Sequence, residues 1–128
     1  MIWMDSKNVA KTWLEKAQTD FAFAKHAFEF GSLDWAQLAA QQSAEKALKA
    51  VCIGKGIGLI KTHDLQLLAR KIGAPKEIIQ QSSILNSFYT VSRYPDAGES
   101  MDADTMQQAT IDAIKAAGEV LKWCKQKI

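Results

Sequence analysis

Lys7-Asn8-Val9-Ala10-Lys11-Thr12-Trp13-Leu14-Glu15-Lys16-Ala17-Gln18-Thr19-Asp20-Phe21-Ala22-Phe23-Ala24-Lys25-His26-Ala27-Phe28-Glu29-Phe30 is the stretch that decides the fold class. Within it Ala10, Trp13, Ala17, Phe21, Ala24 and Phe28 recur at three- and four-residue steps, the period of one helix face. Gly31 stops this helix, and Ser32 or Asp34 can cap the next. A second helix reads to about residue 53, carrying Trp35, Leu38, Gln42, Ala44, Leu48, Val51 and Cys52, with Glu45, Lys46 and Lys49 among its polar positions. Gly54-Lys55-Gly56-Ile57-Gly58 breaks it. Thr62 is the expected N-cap of a short third helix from His63 to Ile72, with Asp64 suited to its first-turn dipole. Gly73-Ala74-Pro75 ends that helix. A fourth runs through Ile78, Ile79, Ile84, Leu85 and Phe88 to about Ser92, and a polar loop follows from Pro95 to Met101. Asp102 or Asp104 opens a last helix to about Gln126. One of its apolar stripes holds Met106, Ala109, Ala113, Ala116, Val120 and Trp123, and another holds Ile114, Ala117, Leu121 and Cys124, so it packs on two sides. No segment alternates with period two for long enough to form a strand. The expected fold is all-α: an up-and-down bundle of about five helices with short links, in a single domain over residues 1–128.

Composition agrees with one packed domain. The chain has 128 residues, 48% of them hydrophobic, which excludes a disordered chain and permits a sizeable core. Sixteen basic residues face fourteen acidic ones, a formal net charge of +2. That balance gives no general attraction for nucleic acid, so an RNA or nucleotide site would have to be a local patch. No apolar run approaches the ~20 residues of a membrane span. Met1-Ile2-Trp3-Met4-Asp5 has no basic region leading into a long apolar core, so it does not read as a secretory signal. No membrane partner is expected, and the cytoplasm is the expected compartment. Cys52 and Cys124 lie in apolar helical stretches with neither CxxC spacing nor a neighbouring histidine, and are expected to be reduced and buried. The aromatics Trp13, Phe21, Phe28, Trp35 and Trp123 sit at helical spacing and are expected in the core. Trp3 falls outside the periodic region and is a candidate subunit contact.

Few residues carry chemistry. A Walker loop needs glycine directly before its Lys-Thr; here Ile60 precedes Lys61-Thr62 and no strand leads in, so the glycine run is a turn. His26, beside Lys25 inside the first helix, is an ordinary surface or boundary residue, whereas His63 at a helix start serves either the helix end or a site. Two histidines and two cysteines on separate helices argue against a metal site, and no cofactor motif appears. No local nucleophile signature is present. The pair Asp102 and Asp104 reads as a helix N-terminus. The densest polar stretch is Ser92-Arg93-Tyr94-Pro95-Asp96, where proline forces Tyr94 toward extended geometry and ends the helix near Arg93. A guanidinium, a phenol and a carboxylate then share four positions. Such a cluster binds an anion or a polar partner, or it ties the loop down through hydrogen bonds.

Three segments taken together resemble a known family. Gln41-Gln42-Ser43-Ala44-Glu45-Lys46-Ala47-Leu48-Lys49-Ala50, then Lys61-Thr62-His63-Asp64-Leu65, then Tyr89-x-x-x-Arg93-Tyr94-Pro95-Asp96 resemble the HEPN domain (higher eukaryotes and prokaryotes nucleotide-binding), from about Trp13 to Trp123. The resemblance implies a four- to five-helix bundle, commonly a homodimer. It also implies a prokaryotic gene placed beside a minimal nucleotidyltransferase, the two acting as a toxin–antitoxin-like pair. Many members are metal-independent RNases that use an arginine followed, after four to six residues, by a histidine. This chain departs from that pattern: the eligible positions are Gly98, Glu99 and Ser100 after Arg93, and Pro75, Lys76 and Glu77 after Arg70. Without an imidazole there, the usual acid–base step lacks its agent. The resulting expectation is a binding module for a nucleotide, a nucleotidyltransferase partner, or both, with Lys46, Lys49, His63, Arg93, Tyr94 and Asp96 as nucleotide- or anion-binding residues. Two alternatives stand beside it: an RNase whose displaced histidine, His63, works with Arg93, and a purely structural dimeric subunit.

Overall fold

The structure is a computed structural model that describes residues 5–93 and 102–128, and of residues 88–93 the backbone alone. Trp3, Tyr94 and Asp96 lie outside the described residues. Five helices follow one another: α1 (Ser6–Phe30), α2 (Leu33–Gly54), α3 (Leu65–Lys71), α4 (Lys76–Arg93) and α5 (Ala103–Lys125). This is the all-α bundle that the periodicity predicts, with no strand among the described residues.

Local chemistry sets the boundaries. Asp5 caps α1 by accepting from the Lys7 N–H at 3.1 Å. At the other end Gly31 takes φ 92°, a left-handed conformation that suits a residue without Cβ. The Gly31 and Ser32 N–H groups then return to Phe28 and Ala27 carbonyls at 3.1 and 2.8 Å, which satisfies the last turn. Ser32 stands at the N-cap of α2 without a side-chain hydrogen bond. Asp102 opens α5 by accepting from the Thr105 N–H at 2.7 Å, and that bond holds its carboxyl below the ordinary carboxylate value. One boundary differs from expectation. Thr62 does not cap α3; Asp64 does, accepting from the Leu67 N–H at 3.2 Å. Thr62 instead turns its hydroxyl back to the Asp64 N–H at 3.1 Å, so the helix starts at Leu65 and His63 stands just ahead of it.

α1 and α2 form a hairpin whose contact is made of small residues. Ala10, Ala17 and Ala24 recur at seven-residue steps and are fully buried, as are Ala36, Ala40, Ala44 and Ala47 of α2. A methyl side chain lets two helix axes approach closely. The approach is measured by Ser43, whose hydroxyl reaches across to the Ala17 carbonyl at 2.8 Å. It is measured again at Gly54, where an added Cβ would sit 3.5 Å from that of Ala10. This packing displaces the aromatics from the core. Trp35 is 62% exposed, contrary to the expectation from its spacing, and Trp13, Phe21, Phe28 and Trp123 are only partly buried. Rings cannot fit between helices held at alanine distance, so Phe21 and Trp123 pack against the outside of the core cluster instead.

α2 is the central element, in contact with each of the other four helices, while among the described residues α3 touches α2 and α4 alone. Its lower half meets Leu65 and Leu68 of α3, Leu85 of α4 and Val120 of α5 in one core cluster. Cys52 and Cys124 are buried, unbridged members of that cluster, as expected, and burial pushes both thiols up from their ordinary value. Among the described residues no helix is long and apolar enough to cross a membrane.

Two outcomes follow for the packing. Ala17→Leu should destabilise the protein by about 2 kcal/mol or more, because the added branch has no space between α1 and α2, and urea unfolding followed by circular dichroism measures the loss. Neither thiol should react with iodoacetamide in the native protein at pH 8, and both should react in denaturant; native labelling of Cys124 would contradict its burial.

Candidate functional site

Besides its alanine face, α2 has a second buried face, and that face is polar. Gln37, Gln41, Glu45 and Lys49 follow one another at four-residue steps and expose only 1, 0, 5 and 7% of their surfaces. Side chains so spaced lie one above another along a helix. Gln37 donates through Nε2 to the Thr110 hydroxyl of α5 at 2.8 Å. Gln41 donates to Glu45 Oε1 at 3.4 Å, and Lys49 Nζ donates to Glu45 Oε2 at 3.0 Å. His63 places Nδ1 2.9 Å from Glu45 Oε1. One buried carboxylate thus gathers an amide, an ammonium and an imidazole. The Gln41 carbonyl oxygen is buried and has no hydrogen-bond partner among the described residues.

His63 reaches this carboxylate because α4 fixes the chain on either side of the α3 start. Asn86 accepts from the Leu65 N–H at 2.9 Å and donates to the Asp64 carboxylate at 2.9 Å. Lys55 ties the far end, donating to the Ile72 carbonyl at 3.2 Å. The result leaves the His63 side chain 55% exposed above a Glu45 side chain only 7% exposed. An imidazole so held has a fixed ring plane and a fixed partner for one nitrogen, which suits hydrogen bonding to a ligand or proton transfer.

The residues singled out in the sequence separate into three groups. Lys49 and His63 meet on Glu45. Lys46 leans the other way, toward α1, where its Nζ lies 2.6 Å from Asp20 Oδ2, with both side chains about a quarter exposed. Arg93 is the last residue of α4, seven positions and about 10 Å along the helix beyond Asn86. Tyr94 and Asp96 fall outside the described residues. Sequence reasoning missed Gln37, Gln41 and Asn86. The four-residue spacing of Gln37, Gln41, Glu45 and Lys49 was visible, but a periodic polar row ordinarily marks a solvent face. Among the described residues no group of three or more His, Cys, Asp or Glu could hold a metal ion.

The HEPN domain family model matches residues 10–127. The chain belongs to the HEPN family. Its fold is similar to that of TT1696 from Thermus thermophilus, with a TM-score of 0.82 and 27% identity over 93% of this chain and 98% of that one. It is similar also to ST0689, an archaeal HEPN homologue, with a TM-score of 0.76 and 28% identity over 91% and 95% of the two chains. A HEPN domain protein from Thermotoga maritima shares the fold at a TM-score of 0.72 and 22% identity, over 90% and 95%. No curated protein sequence matches this HEPN chain.

The two lysines of this HEPN domain should behave differently when neutralised. Lys49→Met leaves the buried Glu45 carboxylate without its counter-charge and should cost ~3–5 kcal/mol. Lys46→Met breaks a partly solvated pair and should cost about 1 kcal/mol or less. Adding Glu45→Gln to Lys49→Met should recover most of the larger loss. Urea unfolding of the three variants tests this, and equal costs for the two lysines would refute the burial argument.

Proposed function

We propose that this HEPN chain is a binding module rather than a nuclease. In this reading it is a homodimer that takes a nucleotide and works beside a minimal nucleotidyltransferase in a toxin–antitoxin-like pair. The observation that carries the reading is the Glu45-centred cluster. It keeps a half-exposed imidazole in one orientation at the mouth of a polar row, while no histidine follows Arg93 at positions 98–100. Lys49 maintains the charge balance around Glu45, so ligand contact falls to His63 together with Arg93, Tyr94 and Asp96. Arg93 supplies a charge that persists at any physiological pH, and Tyr94 supplies a ring for a base. Lys46, at the α1 side, contributes at longer range.

One observation favours a second reading. An imidazole whose Nδ1 meets a buried carboxylate is also the arrangement of a general base. In that case His63 and Arg93 form a displaced RNase site.

Paired assays on purified wild type, Arg93→Ala and His63→Ala separate the two. For the binding module, wild type gives no cleavage of added RNA without metal. A fluorescent nucleotide then binds, and loses affinity about tenfold in each variant while the helical circular-dichroism spectrum stays that of the wild type. Cleavage by wild type that vanishes in both variants would replace the module with the displaced-histidine enzyme. Absence of both activities in a stable dimer, seen by light scattering, would leave a structural subunit.

A further inference from the structure

On the face formed by α1 and α5 a groove of about 540 Å³ runs between the two helices. Phe21, Ala22 and Lys25 line it from α1, and Gly118, Lys122 and Lys125 from α5, together with Leu121 at its floor. It shares no residue with the Glu45 cluster. Three ammonium groups converge on it and no carboxylate lines it. The other lysines of interest are neutralised, Lys46 by Asp20 and Lys49 by Glu45, whereas Lys25, Lys122 and Lys125 are in no ion pair among the described residues. The groove therefore has a local positive charge that the near-neutral chain as a whole lacks.

The floor is apolar, and Gly118 shapes it. A Cβ at that position would stand 3.3 Å from Phe21 Cζ, tighter than ordinary contact. Glycine thus lets the edge of the Phe21 ring pack directly against α5, and that contact forms part of the groove's floor. The ring's face, by contrast, is covered by the Lys25 ammonium, 5.5 Å from its centroid. A single-stranded nucleic acid would need an open aromatic face on which to stack a base. From Gly118 to Lys125 the groove spans two helical turns, about 10 Å. That length, an apolar floor and a basic rim match an amphipathic helix that lays apolar residues at i, i+3/i+4 and i+7 into a groove and carries carboxylates along its flanks.

We propose that the α1/α5 groove is a docking site for an acidic amphipathic helix of a partner protein. Its apolar residues lie along the groove against Phe21, Ala22 and Leu121, and its Asp or Glu side chains meet Lys25, Lys122 and Lys125. The proposal stands independently of the nucleotide site and of the proposed nucleotidyltransferase partner. Lys122 and Lys125 also complement the C-terminal dipole of α5, a role that would appear in stability and not in binding.

The test uses the full chain and a fluorescein-labelled probe peptide with leucines at helical spacing on one face and glutamates on the other. Fluorescence anisotropy should give a dissociation constant of ~10–100 μM for wild type, rising with salt. Combined Lys25→Glu, Lys122→Glu and Lys125→Glu should weaken it at least about tenfold, since surface charge reversal opposes the same encounter. Ala22→Glu, which puts a carboxylate among the groove's exposed apolar lining, should weaken it comparably; if that variant does not fold, the charge reversal alone decides. Three results would overturn the proposal. The first is equal binding of a control peptide with lysines in place of the glutamates. The second is unchanged affinity in the triple variant. The third is binding of oligouridylate by wild type that the triple variant loses, which would give the groove to nucleic acid.

Discussion

A carboxylate moved out of water must find charge and donors to replace it, and the Glu45 side chain, only 7% exposed, sets that demand at the centre of this bundle. Lys49 meets it from one turn below on the same helix, Gln41 from one turn above, and His63 from a separate segment. The first two partners are local and come with the helix itself. The third requires the α2–α3 connection to close and α4 to hold it closed through Asn86. Satisfying one buried charge therefore ties together three elements, and it determines which imidazole of the chain is oriented and which is not. His26, 79% exposed on α1 with Glu29 beside it at 4.0 Å, shows the contrast.

Much of the fold was legible because helix periodicity, glycine stops and acidic caps act over a few residues. The five helices, the Gly31 stop and the Asp102 cap are all local events. What was not legible depends on distance across the bundle. Trp35 has the spacing of a core residue, but alanine contacts fix the separation of α1 and α2, and no local pattern reports that separation. Glu45 and Lys49 have the look of a solvent face. They are buried because the other four helices all pack against α2, a property of the assembled bundle. Asn86 had no signal at all, since its partners lie 21 and 22 residues away. Of the candidate site, the segments were visible and their meeting point was not.

Relatives that share only 22–28% identity keep this backbone at TM-scores of 0.72 to 0.82. Such tolerance is natural for a bundle specified mainly by where small and apolar residues fall. Chemistry is specified more narrowly. An arginine-to-histidine spacing is a matter of one or two residues, and this chain lacks it while retaining the family's shape. On the proposed reading, the loss or relocation of a single imidazole within one fold separates holding a phosphate from cutting beside it.

The short length of α3 has a dynamic consequence. A seven-residue helix does not persist in water by itself, and among the described residues this one touches only two neighbours. Its amides should be among the first in the bundle to exchange with solvent, through an opening that leaves the α1–α2 hairpin and α5 intact. The imidazole of the candidate site rides on the segment that enters this helix. Its placement over Glu45 is thus an equilibrium in its own right, separable from global unfolding, and a ligand that touches His63 would slow exchange in α3 selectively.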